Sequence, residues 1–215
     1  MSEFRRRCLL HAMRYGKGDM VIEVSKPTTF TITENAVERV VALSTGINRL
    51  PHLDKVDKIT WKTRDDAILS FDGGGVYVDN CSGLFDTLTN LRSIRNFDYN
   101  EKKERIEFIN CFALEYIDRV RYGNLMNWRG FFQNYKLKFV GLHYQPANFR
   151  SIDLRHCSEL TEECIDYIYH HMDAEPVTAL YRGCTINLHP TAYDKFGEKN
   201  KERFNKYGVD IIRQG

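Results

Sequence analysis

Three stretches run in parallel through the middle of the chain: Val76-Tyr-Val-Asp-Asn-Cys-Ser-Gly-Leu84, Ile106-Glu-Phe-Ile-Asn-Cys-Phe-Ala-Leu114 and Ile152-Asp-Leu-Arg-His-Cys-Ser-Glu-Leu160. Each reads apolar-x-apolar-x-(Asn/His)-Cys-x-x-Leu. The alternating pair is a short strand with one face inward. A buried Asn or Cys at the corner satisfies or tolerates the turning backbone, and the Leu drops back into the core. No single unit of this kind buries its own apolar face, so the units are expected to stack into one column. Cys81, Leu84, Cys111, Leu114, Cys157 and Leu160 are the core positions of that repeat. The cysteines are unevenly spaced, with a wider gap from Cys111 to Cys157 than from Cys81 to Cys111, which predicts an irregular array with inserted loops. Weaker relatives without the Cys lie between them, at Leu91-Arg-Ser-Ile94 and Leu137-Lys-Phe139.

Beyond the third unit the pattern predicts a helix. Thr161 is a natural N-cap, Glu162 and Glu163 suit the first turn, and Cys164, Ile165, Ile168, Tyr169 and Met172 form an apolar stripe. Cys184 to Leu188 reads as a strand. It is followed by His189-Pro190 at a helix start, helical residues over Arg203–Tyr207, Gly208 at a C′ position and a last strand over Val209–Ile212. On the amino-terminal side, Met20–Ser25, Thr28–Thr33, Ile59–Trp61 and Ala67–Phe71 read as strands. Glu34–Leu43 is open between helical turns and a strand, and Gly73-Gly74-Gly75 reads as a turn. The expected organisation is a basic arm over residues 1–19, a β-rich module over 20–75, and a repeat domain with its cap over 76–215.

The chain has 215 residues, of which 31 are basic and 29 acidic, and its hydrophobic fraction of 42% is enough for a sizeable core. Wholesale disorder, collagen and coiled coil are excluded on composition. No window approaches the roughly 18 unbroken apolar residues of a membrane span. A net charge of +2 argues against a dedicated nucleic-acid binder. The basic start has no hydrophobic region behind it, so export by a signal peptide is not expected. The six cysteines, with no CxxC, then read as reduced thiols.

No HExxH, GxSxG, P-loop or dinucleotide signature is present. Asp72-Gly-Gly-Gly75 lacks the Lys-Ser/Thr that a phosphate loop needs. His156, Cys157, Cys164, His170 and His171 match no compact metal spacing. Asp65-Asp66 and Glu162-Glu163 read as exposed, solvated charges rather than acid/base pairs. The expectation is therefore a chain without catalytic residues, metal or cofactor. A site assembled from His143, Tyr144 and His156 is the enzymatic alternative. Trp128, Arg129, Phe131 and Phe132 combine aromatics with arginine, as interface anchors do. Phe4, Arg5, Arg6 and Arg7 read either as a flexible basic tail or as a docking peptide whose arginines meet carboxylates.

The stretch Phe149–Ile168 resembles a leucine-rich repeat of the cysteine-containing type, L-x-x-L-x-L-x-x-C-x-x-L-T. The Asn-Cys-x-x-Leu units at 80–84 and 110–114 are similar to the irregular BspA-like repeats of Bacteroidetes and their phages, and the Phe-Arg-Arg-Arg opening is similar to that of their phage and prophage proteins. The resemblance implies an α/β fold: a short, irregular leucine-rich-repeat-like solenoid with a β-rich N-terminal part and a C-terminal strand–helix–strand cap. It implies a non-enzymatic virion structural or accessory protein, such as a head or tail fibre, decoration or adhesion subunit. The arm would dock on other virion proteins and the repeat face would meet a partner or a host-surface ligand. Oligomerisation is expected for such a role. An intracellular repeat adaptor is the alternative.

Overall fold

A computed structural model describes residues 18–62, 65–86, 88–99, 108, 111–122, 134–144, 151–174 and 183–214. Strands β1 (Met20–Val24) and β2 (Thr28–Glu34) form where the alternation places them, and each buries every second residue over its buried part. A two-residue turn at Asn35-Ala36, with φ of 52° and 62°, leads into β3 (Val37–Leu43). Two left-handed residues match the strand twist that a tight hairpin needs. The open reading of residues 34–43 thus resolves to a strand, paired along its length with β2. β4 (Gly46–Leu50) runs antiparallel to β1, and β5 (Lys55–Trp61) antiparallel to β2. Asp65 is buried, contrary to its expected exposure. It accepts hydrogen bonds from the Thr28 hydroxyl at 2.6 Å and the Ala67 amide at 2.8 Å, while Asp66 stays exposed and pairs with Lys26.

The long strand β6 (Ile68–Asn80) joins these pieces. Its first half pairs with β1 and its second half with β5. Gly73–Gly75 sit inside β6 and not in a turn between elements. They form the bulge at which the strand changes neighbours, with Gly74 and Gly75 at φ 61° and 83°. A Cβ on Gly73 would stand 2.7 Å from Phe97 Cβ, so only glycine fits. Strands β7 (Ser93–Tyr99), β8 (Tyr116–Tyr122) and β9 (Phe139–Tyr144) then add in parallel. Ser70, Ser93, Tyr116 and Phe139 stand side by side, at equal steps along the chain. The step is 23 residues, the same span that separates Lys138 from its partner Glu115 and Thr161 from its partner Lys138. It recurs in the backbone: Arg92 N–H donates to Leu69 C=O, Glu115 to Arg92, Lys138 to Glu115 and Thr161 to Lys138.

The turns ahead of these strands share one chemistry. The Cys111 thiol donates to the Phe85 carbonyl at 3.0 Å, and the Asn134 side-chain amide donates to the Phe108 carbonyl at 2.9 Å. Both spans are 26 residues, so Cys111 and Asn134 are equivalent positions. Cys157 lies one further step along, but Cys81 does not belong to the series. Its thiol faces Val78 C=O within its own turn, and the residue preceding Cys111 in the column is Leu88. Beneath the turns runs an aromatic spine of Phe30, Trp61, Phe71, Phe97, Phe85 and Phe108, with centroids 4.9 to 5.9 Å apart.

After Thr161 the chain forms helix α1 (Glu162–Ala174) in place of another strand of the series, and α1 packs beside β9. The Thr161 hydroxyl donates back to Lys138 C=O. β10 (Ser151–Leu154), β11 (Cys184–Leu188) and β12 (Val209–Arg213) form a separate three-stranded parallel sheet. Between the last two come α2 (Pro190–Ala192), a wider π turn over Tyr193–Gly197 and α3 (Glu198–Asn205). His189 caps α2 through its ring nitrogen, and Gly208 turns the chain at φ 72°.

This architecture corrects the expected α/β leucine-rich-repeat-like solenoid. Among the described residues the fold is mostly β: a mixed nine-stranded sheet, with antiparallel strands built onto its parallel part, plus the small parallel sheet. β6 also runs unbroken through residues 75 and 76, where a boundary was expected. Replacing Asn134 by Ala removes the donor to Phe108 C=O, and should cost about 1–3 kcal/mol in urea unfolding. If the corner positions are equivalent, Asn134→Cys should recover part of that loss.

Candidate functional site: a groove across the parallel strands

Because every strand of the parallel series repeats at one constant step, chemically related side chains line up in columns on the sheet surface. Ser70, Ser93, Tyr116 and Phe139 form one column. Arg92 and Glu115 precede it, and Arg95 and Asp118 follow it, in register with Asp72. With Glu23 from β1 and Glu163 and Tyr167 from α1 they line an open groove of about 750 Å³. A neighbouring recess of about 450 Å³ shares Leu69, Arg92 and Glu115 and extends over the turns at Asn90, Ala113 and Lys136. Tyr116 is 47% exposed, so its ring is available to a ligand. Phe139 is partly buried and meets the Tyr167 ring edge-on at 5.3 Å. Phe112 and Tyr135 add exposed rings on the turns leading to β8 and β9.

Four carboxylates line the groove (Glu23, Glu115, Asp118, Glu163) against two guanidinium groups (Arg92, Arg95). Just outside the lining, Lys138 and Arg119 offset this excess, while Asp72, 3.7 Å from Arg95, adds one carboxylate back. Lys138 holds Glu115 at 2.7 Å and Arg119 holds Asp118 at 3.2 Å. The Lys138 hydrogen bond keeps the Glu115 carboxyl below its ordinary range, and the same bond raises the Lys138 ammonium. The carboxyls of Asp66, Asp194 and Glu198, outside the groove, are likewise held below their ordinary range, first by a hydrogen bond to a cation. A general acid at neutral pH needs the opposite shift. The groove is thus a near-neutral surface of rings, hydroxyls and matched charges, suited to holding a polar ligand.

The thiols are sealed in. Cys81, Cys111, Cys157, Cys164 and Cys184 are buried thiols. Burial, helped by the Asp86 charge, pushes Cys111 up to about 12, and burial pushes Cys164 up to about 12. Cys157 is raised well above its ordinary value, again first by burial. A nucleophile needs a thiolate, which these surroundings disfavour.

The structure brings together residues that the sequence reading passed over. Arg92, Arg95, Glu115, Tyr116 and Asp118 were not singled out, yet they form the site. The signal was present in Leu91, Leu114, Leu137 and Leu160, which recur at the same constant step. The expected repeat-core residues Cys81, Leu84, Cys111, Leu114, Cys157 and Leu160 are all buried, although Cys81 and Leu84 stand outside the register. The arm residues Phe4, Arg5, Arg6 and Arg7 and the interface candidates Trp128, Arg129, Phe131 and Phe132 lie outside the described residues. His156 sits in the turn after β10, and His143 and Tyr144 are placed on β9. Among the described residues there is no group of three or more His, Cys, Asp or Glu that could hold a metal ion, and no helix is long and apolar enough to cross a membrane.

No protein-family model matches the chain, and no curated protein or solved structure matches it.

Two measurements check the site's chemistry. In a Cys8→Ser background the folded protein should take up no iodoacetamide at neutral pH, and all remaining thiols should react once urea unfolds it. Glu115, with its folded pKa depressed, stabilises the fold above its unfolded pKa of about 4.3, and that contribution is lost as pH falls through the lower folded value. The pair is about one third exposed, so Glu115→Gln should cost under about 1 kcal/mol at neutral pH. The variant should match the wild type at the acid end of a pH series of thermal melts.

Proposed function

We propose that this chain is a non-enzymatic binding protein, and that the groove across β6–β9 is its ligand surface. The observation that carries this reading is the alignment of Ser93, Tyr116, Phe139, Arg95 and Asp118 on one sheet face beside Tyr167 of α1. Rigid strands hold these groups at fixed spacing, so ordering them costs a ligand little. The near-balance of charge favours an extended, uncharged polar ligand such as a neutral glycan. A phosphate chain would require a clear excess of cations. The buried, protonated thiols and the downward carboxylate shifts support binding over catalysis. The setting expected from the sequence, an accessory subunit of a virion, suits a protein whose work is to hold a surface ligand. It rests on the sequence resemblance and on the arm at Phe4-Arg5-Arg6-Arg7.

The full chain should bind neutral oligosaccharides on an array that also carries acidic and basic ones. Tyr116→Ala and Arg95→Ala, both at solvent-facing positions, should each weaken that binding about tenfold, equivalent to about 1.4 kcal/mol. Their melting temperatures should stay close to the wild type. Binding restricted to acidic ligands, or unchanged in both variants, would overturn the reading.

A further inference from the structure

The most exposed apolar side chains among the described residues are Val37, Val40 and Ile47, at 69%, 69% and 68%. All three sit on β3 and β4, strands that among the described residues have a neighbouring strand on one side only. β9 is also an edge, but α1 packs beside it. No other described element covers the open side of β3 in the same way.

The hairpin geometry fixes which backbone groups of β3 face outward. Glu34 and Val37 flank the two-residue turn and form a hydrogen-bonded pair, and bonded and non-bonded pairs then alternate along the register. Arg39, Val41 and Leu43 therefore direct their N–H and C=O groups to β2. Those of Glu38, Val40 and Ala42 point to the open side. β3 thus offers an unpaired row of donors and acceptors with a β-branched, exposed residue at its centre.

We propose that this edge is an interface with a second copy of the same chain, in which the two β3 strands pair antiparallel about a two-fold axis through Val40. In that register Val40 faces Val40 of the second copy, Glu38 faces Ala42, Val37 faces Leu43 and Arg39 faces Val41. The outward groups of all three positions are satisfied at once, in about six backbone hydrogen bonds. No like charges are opposed. Centring the pair on Arg39 or on Glu38 would set a charged residue directly against itself, which is destabilising in a sheet. The exposed valine gains a cross-strand β-branched partner. The contact is isologous, so it closes at a dimer and does not propagate into a fibre.

The surface is separate from the groove, and the two readings fail separately. Sedimentation velocity of the full chain should show a monomer–dimer equilibrium. Val40→Lys, at a position exposed enough to tolerate the change, should raise the dissociation constant at least about 100-fold by placing two ammonium groups face to face, as edge lysines do. Tyr116→Ala should leave the equilibrium unchanged. In a Cys8→Ser background, mild oxidation should cross-link Val40→Cys into a covalent dimer. Glu38→Cys, which faces Ala42 and not itself, should stay uncross-linked. A wild type that is monomeric at every concentration, a dimer indifferent to Val40→Lys, or equal cross-linking at both positions would overturn the proposal.

Discussion

One hydrogen bond, repeated at a constant step, orders the larger sheet. The amides of Arg92, Glu115, Lys138 and Thr161 donate in turn to the carbonyls of Leu69, Arg92, Glu115 and Lys138. A single bond of this kind adds only about 0.5–1.5 kcal/mol over its hydrated alternative. Burial of a large side chain contributes more, about 1.5–3 kcal/mol, so the spine of Phe71, Phe85, Phe97 and Phe108 dominates the stability. The ladder decides register instead. A slip of one residue would turn Ile94, Ile117 and Val140 outward and bring Ser93, Tyr116 and Phe139 into the core. Burial therefore enforces the register, and the register in turn stacks the aromatic spine. Neither would persist alone.

The same constraint explains how the sheet begins and ends. Parallel strands can be added only while each turn supplies a strand in step. At residue 162 the sequence stops doing so: Glu162-Glu163-Cys164-Ile165 has helical spacing, and the Thr161 hydroxyl still reaches Lys138 C=O while the backbone turns into α1. The last register bond is kept and the edge is covered. At the other end the antiparallel pairings begin, because β6 bulges at Gly73–Gly75 and offers one half to β1, antiparallel, and the other to β5, which is parallel to β6 but antiparallel to β2. That bulge makes the sheet mixed, and it is why a fold read from the parallel units alone comes out wrong.

Much of the local structure was legible in the sequence. Alternation located β1, β2, β10 and β11, and the helix signals at Thr161-Glu162-Glu163 located α1. The repeat was visible but read in the wrong frame. Cysteine is the conspicuous residue, yet the corner requires only a donor to the preceding turn, which Cys111 and Asn134 supply equally. Aligning on cysteine admits Cys81, whose thiol serves its own turn, and so produces an irregular spacing. Leu91, Leu114, Leu137 and Leu160 have no substitute in the column and keep the true step. The groove was not legible, because its residues lie a whole repeat apart and alternate in charge, so no short motif contains its column.

The groove also depends on backbone that its own residues would not choose. Asn96 in β7 and Arg119 in β8 occupy the same column at φ 59° and 52°, a left-handed conformation that costs an ordinary side chain about 1–2 kcal/mol. Arg119 is the extra residue where β8 passes β9, and Asn96 stands beside it in β7, opposite the Gly73–Gly75 bulge of β6. The bend at Arg119 brings its guanidinium within 3.2 Å of the neighbouring Asp118 carboxylate, with the Arg119 side chain only 13% exposed. On the far side of Asp118 stands Gly141, where a Cβ would lie 2.9 Å from the carboxylate oxygen and 2.7 Å from the Phe139 ring. Asp118 and the Phe139 ring thus occupy their places because β9 carries no side chain at Gly141. A strained arginine on one strand and a glycine on the next together fix a carboxylate and a ring beside each other on the exposed sheet. Strain of this kind persists only where the surrounding packing over-determines it. The constant register of the parallel strands supplies that packing, so the ligand surface and the core are set by the same constraint.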